Sequence, residues 1–220
     1  MTLPSLLTPL QKKFLAEFFK QPAGQEFFLT GGTALAEFYL RHRYSEDIDL
    51  FTMSDSALHE VSISLPALTL NLGATFEERL RTSSFQQAFI HTPDGENLKI
   101  DFVRDVGPQF GDHKIFDGVS VDSLLNIGVN KVTALFGRAA GKDFVDLYFL
   151  LKQGFDFDEL TQLAKQKDPG LTEFYLAGML RHVRRIKALP NMLQPLDLEA
   201  LCVFFERLAE QTVLKITPPQ

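Results

Sequence analysis

Gly31-Gly32-Thr33 and, one short helix later, Asp47-Ile48-Asp49 are the segments of this chain best suited to chemistry. Glycines at a strand-to-helix turn let backbone amides come close to phosphate oxygens, and a helix N-terminus adds a favourable dipole. The hydroxyl of Thr33 is expected to donate one more hydrogen bond there. Alternation in Asp47-Ile48-Asp49-Leu50-Phe51 puts both aspartates on one face of a strand, about 6–7 Å apart along it, while Ile48 and Leu50 anchor the other face. Carboxylates so placed suit a pair of magnesium or manganese ions, and a two-metal site stabilises both the attacking and the leaving oxygen of phosphoryl transfer. A cation also gives the clustering a physical reason, because bare carboxylates repel and raise one another's pKa. Asp101, between Ile100 and Phe102 in a strand after the turn Pro93-Asp94-Gly95, is the natural third ligand and a candidate base for a hydroxyl proton.

A second group follows in Lys131-Val132-Thr133-Ala134-Leu135-Phe136-Gly137-Arg138 and Lys142-Asp143-Phe144-Val145-Asp146. Lys131 and Arg138 stand two helical turns apart, and Asp143 and Asp146 are neighbours on the next helix. The four read either as an anion-binding group or as a salt-bridge network tying two helices together. Arg43 has the same two readings, neutralising phosphate or locking its loop by pairing with a carboxylate. Arg181, Arg184 and Arg185 fall on one face of a helix that reads as solvated, with an RNA backbone as the alternative ligand. None of the five histidines forms a close helical pair suited to zinc, and neither a Gly-x-Ser-x-Gly elbow nor a P-loop occurs. That disfavours a Ser/His hydrolase and a Walker-type ATPase.

The elements that must position these residues are legible in outline. A helix follows Thr8-Pro9 to about Lys20, a strand covers Glu26 to Thr30, and a helix covers Thr33 to Leu40. Ala57 to Leu70 is helical in character, with Pro66 inside it, and strands are expected near Thr75–Leu80, Phe85–Thr92 and Leu98–Val103. Helices alone follow: Ser123–Arg138, Lys142–Lys152, Asp158–Gln166, Thr172–Lys187 and Leu198–Thr212. This order predicts an α/β half followed by a helical half, with a boundary near Asp117 to Asp122.

Length and a hydrophobic content of 45% allow a full core. A net charge of −6 argues against a broad cationic surface for nucleic acid, though a local basic patch could serve a transient substrate. Cys202 is the only cysteine, which excludes an internal disulfide and a cysteine zinc cage. No leader-like or bilayer-length apolar run is present, so the expected location is cytoplasmic, with no membrane partner.

The run Phe28-Leu29-Thr30-Gly31-Gly32-Thr33-Ala34-Leu35-Ala36, with Arg43, Ser45 and Asp47-Ile48-Asp49-Leu50-Phe51, resembles the AbiEii/AbiGii toxin branch of the polymerase-β-like nucleotidyltransferases. The likeness extends to Asp101 and to Lys131–Asp146. That superfamily commonly carries Ser where this chain has Thr33, and the hydroxyl survives the change. The resemblance implies an α+β fold, a mixed sheet flanked by helices and then a C-terminal helical bundle. A catalytic domain over 1–120 and a helical domain over 121–220 completing the nucleotide cleft are expected. It implies that Gly31, Gly32, Thr33, Arg43 and Lys131 bind the nucleotide, that Asp47, Asp49 and Asp101 bind Mg²⁺ or Mn²⁺, and that Asp143 has an active-site role. The activity implied is transfer of a nucleoside monophosphate from a triphosphate to an RNA hydroxyl such as a tRNA 3′ end, with a cognate antitoxin as partner. A small-molecule or protein acceptor, and a nucleotide-binding module without chemistry, are the alternatives.

Overall fold

The computed structural model describes residues 4–216. The outermost positions of the expected spans 1–120 and 121–220, and the first three residues of the N-terminal reading, lie outside the described residues. Two compact units emerge. Among the described residues, one comprises Pro4–Tyr39, Ser45–Val106 and Gly111–Ser123, and the other Leu40–Tyr44, Gly107–Phe110 and Leu124–Ile216.

In the first unit, Thr8 starts helix α1 (Pro9–Phe18) through a capping box. Its hydroxyl accepts the Gln11 amide at 3.1 Å, and the Gln11 side chain accepts the Thr8 amide at 2.9 Å. Phe14 and Phe18, one turn apart, face inward, and the Phe18 ring meets Phe27 and Phe102 of the sheet at 5.6 and 5.7 Å. Strands β1 (Phe27–Thr30), β2 (Ile48–Thr52), β3 (Thr75–Arg81), β4 (Phe85–His91), β5 (Asn97–Arg104), β6 (Lys114–Phe116) and β7 (Val119–Val121) form one sheet in the order β3-β4-β5-β2-β1-β7-β6. β2 runs parallel to β5, and β1 parallel to β7, while the remaining pairs are antiparallel. Ile48, Leu50, Ile100 and Phe102 are wholly buried on β2 and β5, so the intervening residues are turned to the opposite face. At the rim, β3 is exposed along most of its length and slips register between Glu78 and Leu80.

Helix α2 (Gly31–Ala34) widens into a π-type turn over Leu35–Leu40, and helix α3 (Ala57–Asn71) carries Pro66 inside it without ending there. The mixed sheet with its helices is the α+β architecture expected. The segment expected to hold the boundary, Asp117 to Asp122, contains a hairpin, and the chain passes into the helices of the second unit just after it, at Leu124. Asp117 and Gly118, with φ of 49° and 82°, make the two-residue turn between β6 and β7. Asp-Gly suits that left-handed geometry.

The second unit contains helices α4 (Leu124–Gly137), α5 (Gly141–Lys152), α6 (Phe157–Lys167), α7 (Glu173–Leu180) and α8 (Leu198–Ile216). Phe144 of α5 and Phe205 of α8 meet edge to face at 4.9 Å, both fully buried. Asp156 caps α6 by accepting the Glu159 amide at 2.9 Å. The single helix expected over Thr172–Lys187 stops at Leu180 and tightens into a 3₁₀ turn over Arg181–Arg185. Arg181, Arg184 and Arg185 therefore do not share an α-helical face. In a 3₁₀ turn residues three apart eclipse, which aligns Arg181 with Arg184, and Arg184 pairs with Glu206 of α8.

Candidate active site

Asp49 and Asp101 are direct neighbours, because the parallel register of β2 and β5 pairs them position for position. Asp47 stands two residues before Asp49, at the entry to β2, and so shares its side of the sheet. Sequence alternation alone thus turns all three carboxylates to one face, and the crossover between β2 and β5 aligns them. Gln87, opposite Asp101 on β4, donates to Asp101 Oδ1 at 2.9 Å and fixes that side chain.

The glycine turn abuts this row. Gly31 has φ of +69°, the left-handed region, and a Cβ there would fall 2.0 Å from Asp49 Oδ2. Only glycine allows that carboxylate its place. Thr33 is buried, and its hydroxyl donates to the backbone carbonyl of Asp47. The expected phosphate donor thus ties the glycine turn to the carboxylate strand.

Lys99 holds the centre. Its Nζ lies 2.7 Å from Asp101 Oδ2 and 3.6 Å from Asp47 Oδ2. Partial burial works to lower its pKa, but the hydrogen bond and charge of Asp101, with Asp47 and Asp49 behind them, prevail and leave the ammonium above the usual lysine value. All three carboxylates therefore act on one cationic point. Among the described residues no three His, Cys, Asp or Glu side chains stand as a ready-made metal cage. The chemistry of this donor set nevertheless fits a divalent ion: hard carboxylate oxygens on one sheet face, already arranged about a positive charge.

The remaining expected residues meet in the second unit. Lys131, buried on α4, reaches Asp143 Oδ1 at 3.0 Å and Asp146 Oδ2 at 2.6 Å. Arg43 grips Asp146 with Nε at 2.6 Å and Nη2 at 2.9 Å, a bidentate pair, and His42 Nε2 stands 2.8 Å from the same carboxylate. Arg138 pairs with Asp143 from a more exposed position. Burial alone would raise both carboxyls, but Lys131 with Arg43 pulls Asp146 well below the ordinary range, and Lys131 with Arg138 lowers Asp143. Arg43 is thus paired with a carboxylate that fixes its loop. The backbone supports it too, since Arg43 bridges to Met192 and the Tyr44 amide donates to the Asn191 carbonyl at 2.8 Å.

Four residues escaped sequence reasoning. Lys99 carried a signal, because a residue two before Asp101 on a strand shares its face, and Gln87 lay opposite in the hairpin register. His42 and Asp122 carried none. Asp122 is wholly buried, accepts the Thr30 hydroxyl at 2.6 Å, and through its carbonyl accepts the Tyr39 hydroxyl at 2.6 Å.

A mixed sheet presenting paired strand carboxylates beside a glycine turn defines the nucleotidyltransferase class. The chain belongs to the family described as nucleotidyl transferase AbiEii toxin, type IV toxin–antitoxin system, whose model matches residues 13–196. It is 34% identical over 146 residues to the uncharacterized protein aq_aa25 of Aquifex aeolicus (strain VF5), and this stretch is 64% of the chain and 66% of that relative. The fold is similar to that of the nucleotidyltransferase toxin MenT4 of Mycobacterium tuberculosis, with a TM-score of 0.60 at 14% identity, covering 95% of this chain and 83% of that one. It is also similar to JHP933 of Helicobacter pylori, with a TM-score of 0.55 at 20% identity over 94% and 90% of the two chains. No helix among the described residues is long and apolar enough to cross a membrane.

Proposed function

We propose that this toxin-family nucleotidyltransferase moves a nucleoside monophosphate from a triphosphate to the 3′ hydroxyl of an RNA, a tRNA end first among the acceptors, and that a cognate antitoxin restrains it. The observation that carries the reading is the convergence of Asp47, Asp49 and Asp101 on one cationic point beside Gly31. These carboxylates are the groups to hold Mg²⁺ or Mn²⁺. When bound, the ion supplies charge neutralisation of the phosphates and of the oxygens gaining charge during transfer.

The chain's own groups divide the remaining work. Gln87 holds Asp101 in place, which suits it to accept the proton of the attacking hydroxyl. Gly31 and Gly32 offer a backbone free of Cβ atoms to the triphosphate, and Thr33 keeps that backbone at the carboxylate strand. For Lys131 and Arg43 the reading is the family's, contact with the nucleotide phosphates. Asp143 and Asp146 serve it by keeping the Lys131 ammonium charged and fixed.

The test is a labelling assay with each of the four triphosphates, purified tRNA and Mg²⁺, comparing wild type with Asp47→Ala. Label in tRNA that requires Asp47 is expected. Label only in protein or a small hydroxyl compound would move the acceptor to those classes, in keeping with the acidic balance of the chain. Triphosphate binding that needs neither Mg²⁺ nor Asp49, without transfer, would reduce the protein to a binding module.

A further inference from the structure

We infer that Lys99 is a built-in counter-ion of the carboxylate row, which a divalent cation must displace to enter. The inference rests on the metal reading above and adds a residue to it. Two geometric observations carry it. First, Lys99 is two residues from Asp101 on β5, so alternation aims its side chain at the face that bears the carboxylates. Second, its Nζ stands between Asp101 and Asp47, at 2.7 and 3.6 Å, on partners that come from two different strand segments. Such a position is that of a bridging cation rather than of a rim pair.

The physical consequence is competition. Without Lys99, three carboxylates on one face would repel one another, and the row would open. With it, the row stays assembled, at the expense of affinity for any arriving cation, because two positive charges cannot share the same oxygens in a poorly screened site. Once displaced, the ammonium remains tethered to β5, next to the anionic groups that accompany the metal. Lys99 is thus a positioning residue for the empty state and sets the threshold of metal concentration at which the site loads.

Mn²⁺ alone, without nucleotide, is the probe, followed in the full chain by loss of the free-ion paramagnetic signal. Wild type is expected to bind, Asp49→Ala to lose binding, and Lys99→Gln to bind about tenfold more tightly than wild type. Equal or weaker binding by a folded Lys99→Gln, with Asp49→Ala still deficient, would overturn the role of Lys99 and leave the metal site standing. Wild-type binding that is absent, or indifferent to Asp49, would remove the metal site and this inference with it. Should Lys99→Gln unfold in the apo state, recovery of its circular dichroism on adding Mn²⁺ supports the inference, and failure to recover counts against it. Lys99→Arg, which keeps the charge, is expected to bind no more tightly than wild type; tighter binding would refute the competition.

Discussion

Asp49 Oδ2 rests so near the α-carbon of Gly31 that an added methyl would stand 2.0 Å from it. The carboxylate row and the glycine turn are therefore one object, with the missing Cβ as the space between its parts.

That contact separates function from stability. Gly31→Ala and Gly73→Ala both force alanine into left-handed backbone, at φ of +69° and +71°, but nothing lies within 4 Å of a Cβ at Gly73. Each substitution is expected to lower stability by roughly 1–2 kcal/mol in urea denaturation. Only Gly31→Ala is expected to reduce nucleotidyl transfer, by about a hundredfold or more, through displacement of Asp49. Equal activity of the two variants would contradict the coupling.

Thr33 acts through its hydroxyl on the Asp47 carbonyl. Thr33→Ser, which keeps that donor, is expected to retain activity near the wild-type level. Thr33→Val keeps the shape and removes the donor, and its expected loss is about 1–3 kcal/mol in thermal or urea unfolding, with slower transfer. A Val variant matching Ser in both measurements would show that the tie is idle.

Asp146 neutralises Arg43 and Lys131 in a buried setting. Asp146→Asn removes the carboxylate that Arg43 grips and leaves Lys131 with Asp143 alone, and is expected to destabilise the protein by about 3–5 kcal/mol. Arg138→Ala removes a partner whose side chain is 60% exposed, and its expected effect on stability is below about 1 kcal/mol. Urea midpoints of the two variants check the contrast.

The same cluster sets a pH profile. Asp143 and Asp146 titrate below their unfolded value of about 3.9, so their stabilisation is full above that pH and fades as pH falls through the folded values. Burial would lower Lys131, but Asp146 and Asp143 raise it above the usual value. Its contribution is complete below about pH 10.4 and declines only as pH climbs through the raised value. Stability measured against pH should show an acid limb below about pH 4 that flattens in Asp146→Asn.

Local patterns carried much of the architecture. Alternation around Asp47, Asp49 and Asp101 was enough to expect one shared face, since strand period is a property of the chain alone. Capping at Thr8 and Asp156 was equally local. The β6–β7 hairpin escaped because its strands are three residues each, too short for a period to show, although Asp117-Gly118 was there to be read. The break at Arg181 escaped because the helical pattern runs through it. Pairings such as Arg43 with Asp146, 103 positions apart, have no trace in composition or spacing. They arise only when the chain segment Leu40–Tyr44 joins the helical unit.

The side-by-side register of Asp49 and Asp101 also bears on biogenesis. β2 and β5 are synthesised some fifty residues apart, and β4 is joined to the sheet through β5. A nascent chain that has not yet delivered Asp101 beyond the ribosome holds β2 with an incompletely paired edge and lacks one of the three carboxylates. On the reading proposed above, translation withholds a complete centre until nearly half of the polypeptide has emerged, and truncated products ending earlier are expected to lack nucleotidyl transfer.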